Sequence, residues 1–503
     1  MPDFSAIAIA PGVVTKPTKS ENSSSWREAN LVRWNGFQME PLRGWARLDY
    51  TDPTKDVRAV HVWRDNAGTE WTAYLCDGKL YVEYEGDLVD ISPTPAIAEA
   101  TFGVGGYGDS TFGTGTYGTD RPARPGRREV GPAFTLNNWG ENLLAMTSAD
   151  GRLLEWVPTT PPDPAVVVTG APSGRTFVVT PERHVMIFQA AGDSDTFAWC
   201  DQEDNTDWDY ASLTSKAGTY NIQPSSPILA SINIGDLGGT LFFTARRAYL
   251  SRYIGLPYIY DQGTEVGEGV NPVSSAALAR TSAGVMWYTE SGFFKFDGTV
   301  VQPVMCDIWT WIKANIDNTM ARFTAFAMNI PGRNEFWLFL PSIGSDKNDR
   351  LVVYNYVEGW WSMGKMGRSA GFAASFTSYP ILADDTTIYQ HDGSDTYPGV
   401  PDLPWAESFT LNLERGAING KLRQIKPDVT GDYASLRYSL AYRDIRTPDN
   451  ELYTSQRSLQ SNGCVDFDTT GRDFRLRVDY IAPNVLPWTI GDILISAKPK
   501  GKK

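Results

Sequence analysis

The stretch from residue 101 to 120 places glycines at a spacing that could hold a phosphate. The pattern G-x-G-x-x-G occurs in it twice, at 103–108 and at 113–118. In a dinucleotide site this pattern follows a buried strand and opens a helix whose N-terminus meets the pyrophosphate. Here "SPTPAIAEAT" precedes the pattern, and the prolines of "DRPARPGRREVGP" after it exclude a helix. We therefore predict that no nucleotide cofactor binds at these glycines.

Without a nucleotide, the stretch is a tandem in which the unit F-G-x-G-x-Y-G occurs twice. Aromatic side chains can hold such a segment on a neighbouring surface, and glycines allow the backbone to approach that surface closely. One interpretation is a surface loop without a further role. The other is a loop between two propeller blades that reaches a neighbouring subunit or lines a channel. The candidate residues of this channel or interface loop are Phe102, Gly103, Gly105, Tyr107, Phe112, Gly113, Gly115 and Tyr117.

The acidic stretch 201–209 carries Asp201, Glu203, Asn205 and Asp207 at alternate positions. Calcium accepts such oxygen ligands, but the glycine and the final glutamate of an EF-hand loop are missing. A solvated loop and a metal site are the two alternatives, and we predict the loop and no metal.

Residues that could support catalysis form no recognisable set. The three histidines (His61, His184 and His391) lie far apart, and none has another histidine or a cysteine at zinc-binding spacing. The hydrolase motifs G-x-S-x-G and H-E-x-x-H do not occur. Carboxylate pairs for glycoside hydrolysis stay open, because 59 acidic residues always contain pairs and only geometry identifies a site. We predict no catalytic residues and a protein that is not an enzyme.

The charge balance disfavours tight binding to DNA. Lys and Arg number 45 against 59 Asp and Glu, a formal net charge of −14. A protein that grips a duplex needs clustered basic residues, because phosphate neutralisation supplies most of its affinity. The only basic run is the tail "KPKGKK". Such a surface suits a protein past which DNA moves without sticking.

Segments that direct a chain to membranes or to oxidising compartments are not evident. No window approaches about 18 uninterrupted apolar residues, as a membrane helix would require. The start "MPDFSAIAIAPG" lacks the basic region of a secretory signal. The four cysteines (Cys76, Cys200, Cys306 and Cys464) are widely spaced, so we predict buried thiols in a reducing compartment and no disulfide framework.

The elements that must position these residues are mostly short strands. Alternating apolar runs are broken by Gly, Asp, Asn and Pro, and a unit of turn, aromatic strand, turn and strand recurs irregularly. It occurs at 77–92, 150–158, 245–255, 290–304, 350–364 and 384–393, usually after a more continuous apolar strand. Small sheets in series are typical of a β-propeller. We predict an all-β, irregular propeller of five or six blades with insertions; unrelated β-meanders or sandwiches are the alternative.

Two local sequence signals, one for a hairpin and one for a helix, are stronger than the irregular recurrent unit. Asn35-Gly36 lies between two alternating runs and predicts a hairpin with a type I′ turn, which needs positive φ at both central residues. In 306–323 the residues Ile308, Trp311, Ile312 and Ile316 recur at helical spacing and predict an amphipathic helix.

The composition divides the chain into three regions. Residues 1–50 form an N-terminal arm and hairpin, and 51–400 form the propeller, with the glycine-rich insertion at about 101–131. Three prolines in 397–405 indicate a linker. The period-two strands of 401–503 predict a small β-sandwich that ends in the basic tail.

Several segments, taken in order, resemble the tail nozzle or tail-hub proteins of short-tailed bacteriophages, which include packaged-DNA-stabilising proteins. The opening "WREANLVRWNGFQMEPLRGWARL" resembles the start of that family, and the glycine-aromatic tandem is also similar. Further similar segments follow at 198–208, 247–260, 292–301, 354–364, 470–480 and 488–495. Each is loose alone, but their order along one chain makes the resemblance fairly specific.

The resemblance implies a structural protein of the virion tail, assembled in the bacterial cytoplasm. Family members form a closed homo-hexameric tube below the head-to-tail adaptor protein, with tail spikes or fibres around it. The packaged double-stranded DNA is retained and then leaves through this tube without tight binding. The resemblance brings no catalytic residues, cofactor or membrane span. The alternative is a glycan-binding or glycan-hydrolysing propeller of a phage tail, in which Trp360 and Trp361 would be sugar platforms or, more plainly, core aromatics.

Overall fold

The computed structural model describes residues 5–7, 9–15, 25–100, 130–377, 379–399, 402–412, 420–443 and 451–499. Six short strands open the chain: β1 (Ser5–Ile7), β2 (Ala10–Val13), β3 (Ser25–Asn30), β4 (Val32–Asn35), β5 (Gln38–Pro41) and β6 (Gly44–Arg47). They do not form a sheet of their own, because each pairs with a distant part of the chain or extends a sheet that does.

Seven four-stranded antiparallel sheets, the blades, follow within the described residues. Blade 1 has β7 (Val57–Arg64), β8 (Glu70–Cys76), β9 (Lys79–Tyr84) and β10 (Asp87–Asp90), and blade 2 has β11 (Phe134–Trp139), β12 (Asn142–Thr147), β13 (Leu154–Trp156) and β14 (Val166–Val167). Blade 3 has β15 (Thr176–Val179), β16 (Val185–Phe188), β17 (Thr196–Trp199) and β18 (Gly218–Asn221). Blade 4 has β19 (Ile228–Asn233), β20 (Thr240–Thr244), β21 (Arg247–Ser251) and, after a separate hairpin of β22 (Tyr253–Gly255) and β23 (Ile259–Tyr260), β24 (Thr264–Glu268).

The remaining blades include the two α-helices. Blade 5 has β25 (Leu278–Thr281), β26 (Gly284–Thr289), β27 (Gly292–Phe296) and β28 (Val301–Val304), and α1 (Trp309–Asn315) and α2 (Asn318–Thr324) lead to blade 6. Blade 6 has β29 (Phe326–Ile330), β30 (Glu335–Leu340), β31 (Arg350–Asn355) and β32 (Trp361–Gly364). Blade 7 has β33 (Ala370–Phe372), β34 (Ile381–Asp384) and β35 (Thr387–Ser394), and its fourth strand is β6. Single 3₁₀ turns lie at Ala190–Gly192, Gly235–Leu237, Pro331–Arg333 and Tyr433–Ser435.

The blades close into a ring, so the all-β propeller predicted from the sequence is confirmed. The first strand β7 packs between the first strands β11 and β33, which joins blade 7 to blade 1. Separate apolar cores fill the spaces between neighbouring blades, and Phe243 of blade 4 contacts Trp287 of blade 5 with ring centroids 5.0 Å apart. The second strands β26 and β30 are buried along their whole length, because each is covered by a blade on both sides.

The described residues form seven blades and not the five or six predicted. The recurrent units found in the sequence fall on blades 1, 2, 4, 5, 6 and 7, and blade 3 was missed. Its third strand β17 follows a 3₁₀ turn, and a connection over residues 200–217 separates it from β18. The turn-strand-turn-strand pattern is therefore interrupted on both sides of this strand.

Two local expectations need adjustment. The hairpin exists, but Asn35 pairs with Gln38, so its turn residues are Gly36 and Phe37, with φ +57° at Gly36. The helix over 306–323 is two short helices, because Ile316 is extended and the side chain of Asp317 caps α2.

The end of the chain forms a β-sandwich together with its beginning. Its strands are β36 (Trp405–Ser408), β37 (Leu411–Asn412), β38 (Gly420–Gly431), β39 (Leu436–Arg443), β40 (Glu451–Tyr453), β41 (Val465–Gly471), β42 (Asp473–Tyr480) and β43 (Trp488–Pro499). One sheet has the order β4-β5-β43-β38-β41 with β1 on β43, and the other has the order β2-β3-β36-β42-β39-β40 with β37 on β42. The N-terminal region thus differs from the separate arm expected over residues 1–50: β1–β5 complete the sandwich and β6 completes blade 7.

A buried joint connects the sandwich to the propeller. Strands β2, β3 and β4 pack on β32, the outer strand of blade 6. Arg33 extends from the sandwich into the propeller, where its guanidinium lies 3.3 Å from Glu335 of blade 6 and 2.9 Å from Asp392 of blade 7. Burial opposes the charge on Arg33, but these carboxylates raise its pKa above the ordinary value, so Arg33 stays cationic. The joint therefore orients the two domains through a charged contact inside one continuous apolar core.

Candidate functional site at the loop face of the propeller

One face of the propeller carries the glycine-rich insertion. In an antiparallel four-stranded blade, the start of the first strand and the turn between the second and third strands lie on the same side. We call this side the loop face. The insertion leaves β10 of blade 1 and returns to β11 of blade 2, so both of its ends are anchored on this face.

The outgoing end of the insertion is held by specific hydrogen bonds. The backbone N–H of Ala100 donates to Asp77 Oδ1 at 2.7 Å, in the β8–β9 turn. Arg152 of blade 2 donates to the carbonyl oxygens of Pro95 and Ala96 at 3.1 and 2.8 Å. Residues up to 100 are therefore fixed over the boundary between blades 1 and 2.

The returning end crosses the mouth of the central channel. Arg175 at the start of blade 3 donates to the carbonyl of Gly131, and Ser275 before blade 5 donates to the carbonyl of Pro132 at 3.3 Å. A Cβ on Gly131 would lie 2.0 Å from the carbonyl oxygen of Arg322 in α2, so only glycine fits there. A short segment that touches blades 3 and 5 and α2, and then enters blade 2, lies across the propeller axis.

A cavity of about 860 Å³ opens beside this segment. Arg175, Arg246 and Arg322 line it together with Glu268 and Glu290. Arg322 is neutralised by Glu290, to which its Nε and Nη2 donate at 3.1 and 2.7 Å.

Arg175 differs, because its hydrogen-bond partners within the described residues are the carbonyls of Gly131 and Leu229 and no carboxylate. Burial lowers its pKa to about 10, so it stays charged at neutral pH. It holds three backbone segments together at the mouth: its own at the start of blade 3, the segment before β11, and β19.

The eight candidate residues of the glycine-rich loop lie outside the described residues. The structure therefore fixes the two ends of that loop on the loop face but does not describe Phe102, Tyr107, Phe112 or Tyr117. The cavity and the role of Arg175 were not expected from the sequence. No local signal marks Arg175, because its partners are backbone carbonyls from distant blades.

The other sequence candidates are separated. His61, His184 and His391 belong to blades 1, 3 and 7, and burial lowers the pKa of each imidazole. Among the described residues no group of three or more His, Cys, Asp or Glu side chains is arranged to hold a metal ion. In the acidic stretch, Asn205 is buried and donates to Glu155, while Asp201 accepts the N–H of Lys216.

The two tryptophans considered as sugar platforms differ in exposure. Trp361 is 1% exposed; its ring stacks on Tyr354 at 4.4 Å and its Nε1 donates to the carbonyl of Met305. It is a core residue and cannot meet a sugar. Trp360 is half-buried and packs against the same core.

All four cysteines are free thiols, and burial raises the pKa of Cys200 and of Cys306 to about 12, which makes both poor nucleophiles.

Each α-helix in the described part of the chain has seven residues, too few to cross a membrane.

No protein-family model and no curated protein sequence matches the chain. Solved structures similar to it include a streptogramin B lyase, with a TM-score of 0.40, 6% identity and coverage of 69% of this chain and 97% of that one. BBS1N in a complex with ARL6DN is similar at a TM-score of 0.37 and 12% identity, over 70% and 97% of the two chains. The β-propeller domain of Myceliophteria thermophila Cps50 (Swd1) is similar at 0.36 and 9%, over 70% and 99%. At these scores the similarities carry no information about activity.

Proposed function

We propose that this protein is a structural component of the virion, the tail nozzle or hub of a short-tailed bacteriophage. In this proposal six copies form a closed ring below the head-to-tail adaptor, among tail spikes or fibres. The ring retains the packaged DNA and conducts it during ejection. The role is structural and requires no catalytic residue, cofactor or metal.

The observation that carries the proposal is where the opening segment lies in the fold. The residues of 26–48 that resemble the nozzle family are those that build the joint and close the ring. Asn30 donates to the carbonyls of Asp402 and Leu403 and accepts the N–H of Lys365 at 2.8 Å. Arg33 forms the buried charged contact described above, and Trp45 lies on the strand that completes blade 7. This segment therefore has an architectural role.

The conduit in this proposal lies between copies and not inside one propeller. The first strands of most neighbouring blades pack directly on one another around the axis, while β19 of blade 4 and β25 of blade 5 make little contact. Gly131 and Pro132 cross the mouth on the loop face. Backbone that crosses the axis leaves no path for a duplex through one propeller. A hole for DNA then requires several copies arranged around a common axis.

Contacts that close a ring of identical copies join two different surfaces of the chain. The hairpin of β22 and β23 offers one such surface. Ile254, Leu256 and Tyr258 on it are 54%, 77% and 64% exposed, whereas Tyr260 at its base is buried. Contiguous exposed apolar side chains mark interaction surfaces. We therefore assign the hairpin to the contact between neighbouring subunits.

The charge supports transit without adhesion. Six copies at −14 each carry a formal −84, so the assembly as a whole repels phosphate. At physiological salt this repulsion acts over about 8–10 Å. DNA that passes such a wall does not adhere to it, as a conduit requires.

Native mass spectrometry of the purified chain tests the ring directly. The wild-type protein is expected to give a hexamer in addition to the monomer. Leu256→Ser with Tyr258→Ser removes apolar surface from the hairpin without touching the core, and we expect it to shift the population to monomer. Leu213→Ser is the matched control, because Leu213 is a fully exposed leucine in the blade 3 connection.

If the double variant is still a hexamer, the hairpin does not form the interface, although the chain still forms a ring. A wild-type chain that stays monomeric, both free and in isolated tails, contradicts the proposed function.

A further inference from the structure

The cavity of about 860 Å³ on the loop face has a positively charged lining, and we call it the mouth cavity. Among the described residues, its charged lining consists of Arg175, Arg246 and Arg322 against Glu268 and Glu290, which leaves one net positive charge. The chain as a whole carries −14, so the cavity is opposite in sign to the protein around it. Its volume lies in the range of ligand sites, about 300–1,000 Å³.

Arg175 offers one free guanidinium nitrogen at this cavity. Its Nε donates to the carbonyl of Leu229 at 3.0 Å and its Nη2 donates to the carbonyl of Gly131. Its Nη1 has no hydrogen-bond partner among the described residues, and it keeps accessible surface instead of being buried unpaired. Because the other two nitrogens are bonded to backbone, Nη1 is held in place at the cavity that Arg175 lines.

Arg246 offers a second free cation at the same edge of the propeller. It lies in the β20–β21 turn, two residues after Thr244, which pairs with Ile228 of β19 next to Leu229. Its carbonyl accepts the N–H of Gly269 at 2.6 Å, which fixes the backbone of the turn. Its side chain is exposed and takes part in no hydrogen bond or ion pair within the described ranges.

The remaining charges of the cavity are weaker attractions for a ligand. Arg322 donates to Glu290 at 3.1 and 2.7 Å, so these two charges cancel. Glu268 is 69% exposed and lies 3.9 Å from Arg247, outside the cavity lining. The cavity therefore presents two arginines without carboxylate partners, and arginine matches the two oxygens of a carboxylate or phosphate.

The net charge favours a carboxylate over a phosphate. One carboxylate neutralises the single excess positive charge of the lining. A phosphate monoester carries nearly two negative charges at neutral pH, and a nucleic acid carries a row of phosphates. Either would place excess negative charge beside the two glutamates, and like charges in contact oppose binding.

Apolar side chains beside the arginines favour a peptide over a small free carboxylate. The apolar part of the lining includes Pro227, Leu229, Pro272 and Val273. A ligand that consists of little more than a carboxylate would leave this apolar wall uncovered. A peptide that carries an acidic side chain next to apolar ones covers both kinds of surface.

We propose that the mouth cavity binds a peptide segment of a partner protein, in which one Asp or Glu side chain lies beside apolar side chains. The carboxylate accepts from Arg175 Nη1 and from the guanidinium of Arg246. The neighbouring apolar side chains pack on Leu229, Val273 and the two prolines. The proposal concerns one propeller and does not depend on the hexameric ring.

Selection of random short peptides on the immobilised full chain tests this proposal. We expect the enriched peptides to share one acidic residue next to apolar residues. The best peptide is then measured by fluorescence anisotropy beside its version with the amide in place of the carboxylate, which should bind at least about tenfold more weakly. Inorganic phosphate and a short DNA duplex are the competing anions, and neither should displace the peptide.

Arg246→Met tests the site itself, because the side chain is exposed and its loss breaks no described contact of the fold. We expect it to weaken peptide binding at least about tenfold. Arg423→Met, at an exposed arginine on β38 of the sandwich, is the matched control and should bind like the wild type. Glu268→Gln should strengthen binding about twofold, since it removes an exposed like charge.

Three results would overturn the proposal. The first is a selection that enriches no peptide, or only peptides without an acidic residue. The second is displacement of the peptide by the DNA duplex or by phosphate, which would assign the cavity to phosphate. The third is equal binding by the wild type and Arg246→Met, which would place the peptide elsewhere.

Discussion

Trp45 and His391 stack with ring centroids 4.8 Å apart and planes 20° apart, although they come from opposite ends of the propeller sequence. Trp45 lies on β6, which pairs with β35, so His391 is opposite Trp45 in the register. The edge of Tyr397 meets the same indole at 4.7 Å, and Trp45 Nε1 donates to the carbonyl of Pro398. The closure of the ring is thus concentrated around one buried tryptophan.

Trp45→Ala is expected to destabilise the protein by about 3–5 kcal/mol, the cost of removing a buried tryptophan. The free energy of unfolding, measured with urea, checks this value. Phe37→Ala is the control: Phe37 is 78% exposed, and we expect a change within about 0.5 kcal/mol. Equal effects of the two substitutions would show that β6 does not close the ring.

At the joint between the sandwich and the propeller, we expect a single substitution to cost more stability than a double one. Arg33→Met leaves Glu335 buried without its cation, and we expect a loss of about 3–5 kcal/mol. Arg33→Met combined with Glu335→Gln should lose less, because glutamine still accepts the hydrogen bond from Trp337 and carries no charge. Urea unfolding of both variants measures the difference. If the double variant is less stable than Arg33→Met alone, the unpaired charge of Glu335 is not the source of the loss.

Stability should fall in mild acid because folding lowers the pKa of all three histidines. Below about pH 6.5 the unfolded chain binds protons that the folded chain excludes, so the free energy of unfolding decreases as the pH falls. Each histidine contributes up to about 1.4 kcal/mol per pH unit between its two pKa values. The measurement is urea unfolding from pH 7.5 to 5.5.

His391→Gln isolates one of these contributions, since glutamine can still accept from Arg368 Nε. We expect a shallower pH dependence than in the wild type, by up to about 1.4 kcal/mol per pH unit. Identical slopes would exclude His391 as a source of acid sensitivity.

Deletion of residues 102–118 tests the glycine-rich loop. The contacts that hold its ends, Ala100 with Asp77 and Gly131 with Arg175, lie outside the deleted stretch. We therefore expect a folded monomer with an unchanged unfolding transition but impaired ring assembly or DNA retention in particles. Full particles with a normal DNA content would show that neither ring assembly nor DNA retention requires the loop.

Patterning predicted the architecture because most blades repeat a fully buried strand followed by an aromatic strand between turns. Blade 3 was missed, because the turn-strand-turn-strand pattern is interrupted on both sides of β17. A 3₁₀ turn precedes this strand and a long connection follows it. The contribution of β1–β5 to the sandwich was also missed, because strand pairing between the two ends of a chain leaves no mark in local periodicity.

The candidate sites were harder to predict. At the loop face, Arg175 donates to the carbonyls of Leu229 and Gly131, which come from distant parts of the chain. An ordinary arginine in a sequence carries no such information. By contrast, the burial of Trp361 followed from its place in an aromatic strand, which agrees with the simpler of the two interpretations.

Electron microscopy of isolated phage tails, with this protein labelled, tests the central claim most directly. The account predicts six copies around a hole wide enough for a DNA duplex, with the β22–β23 hairpin at the contact between neighbours. A single copy, or a ring without a central hole, would contradict it.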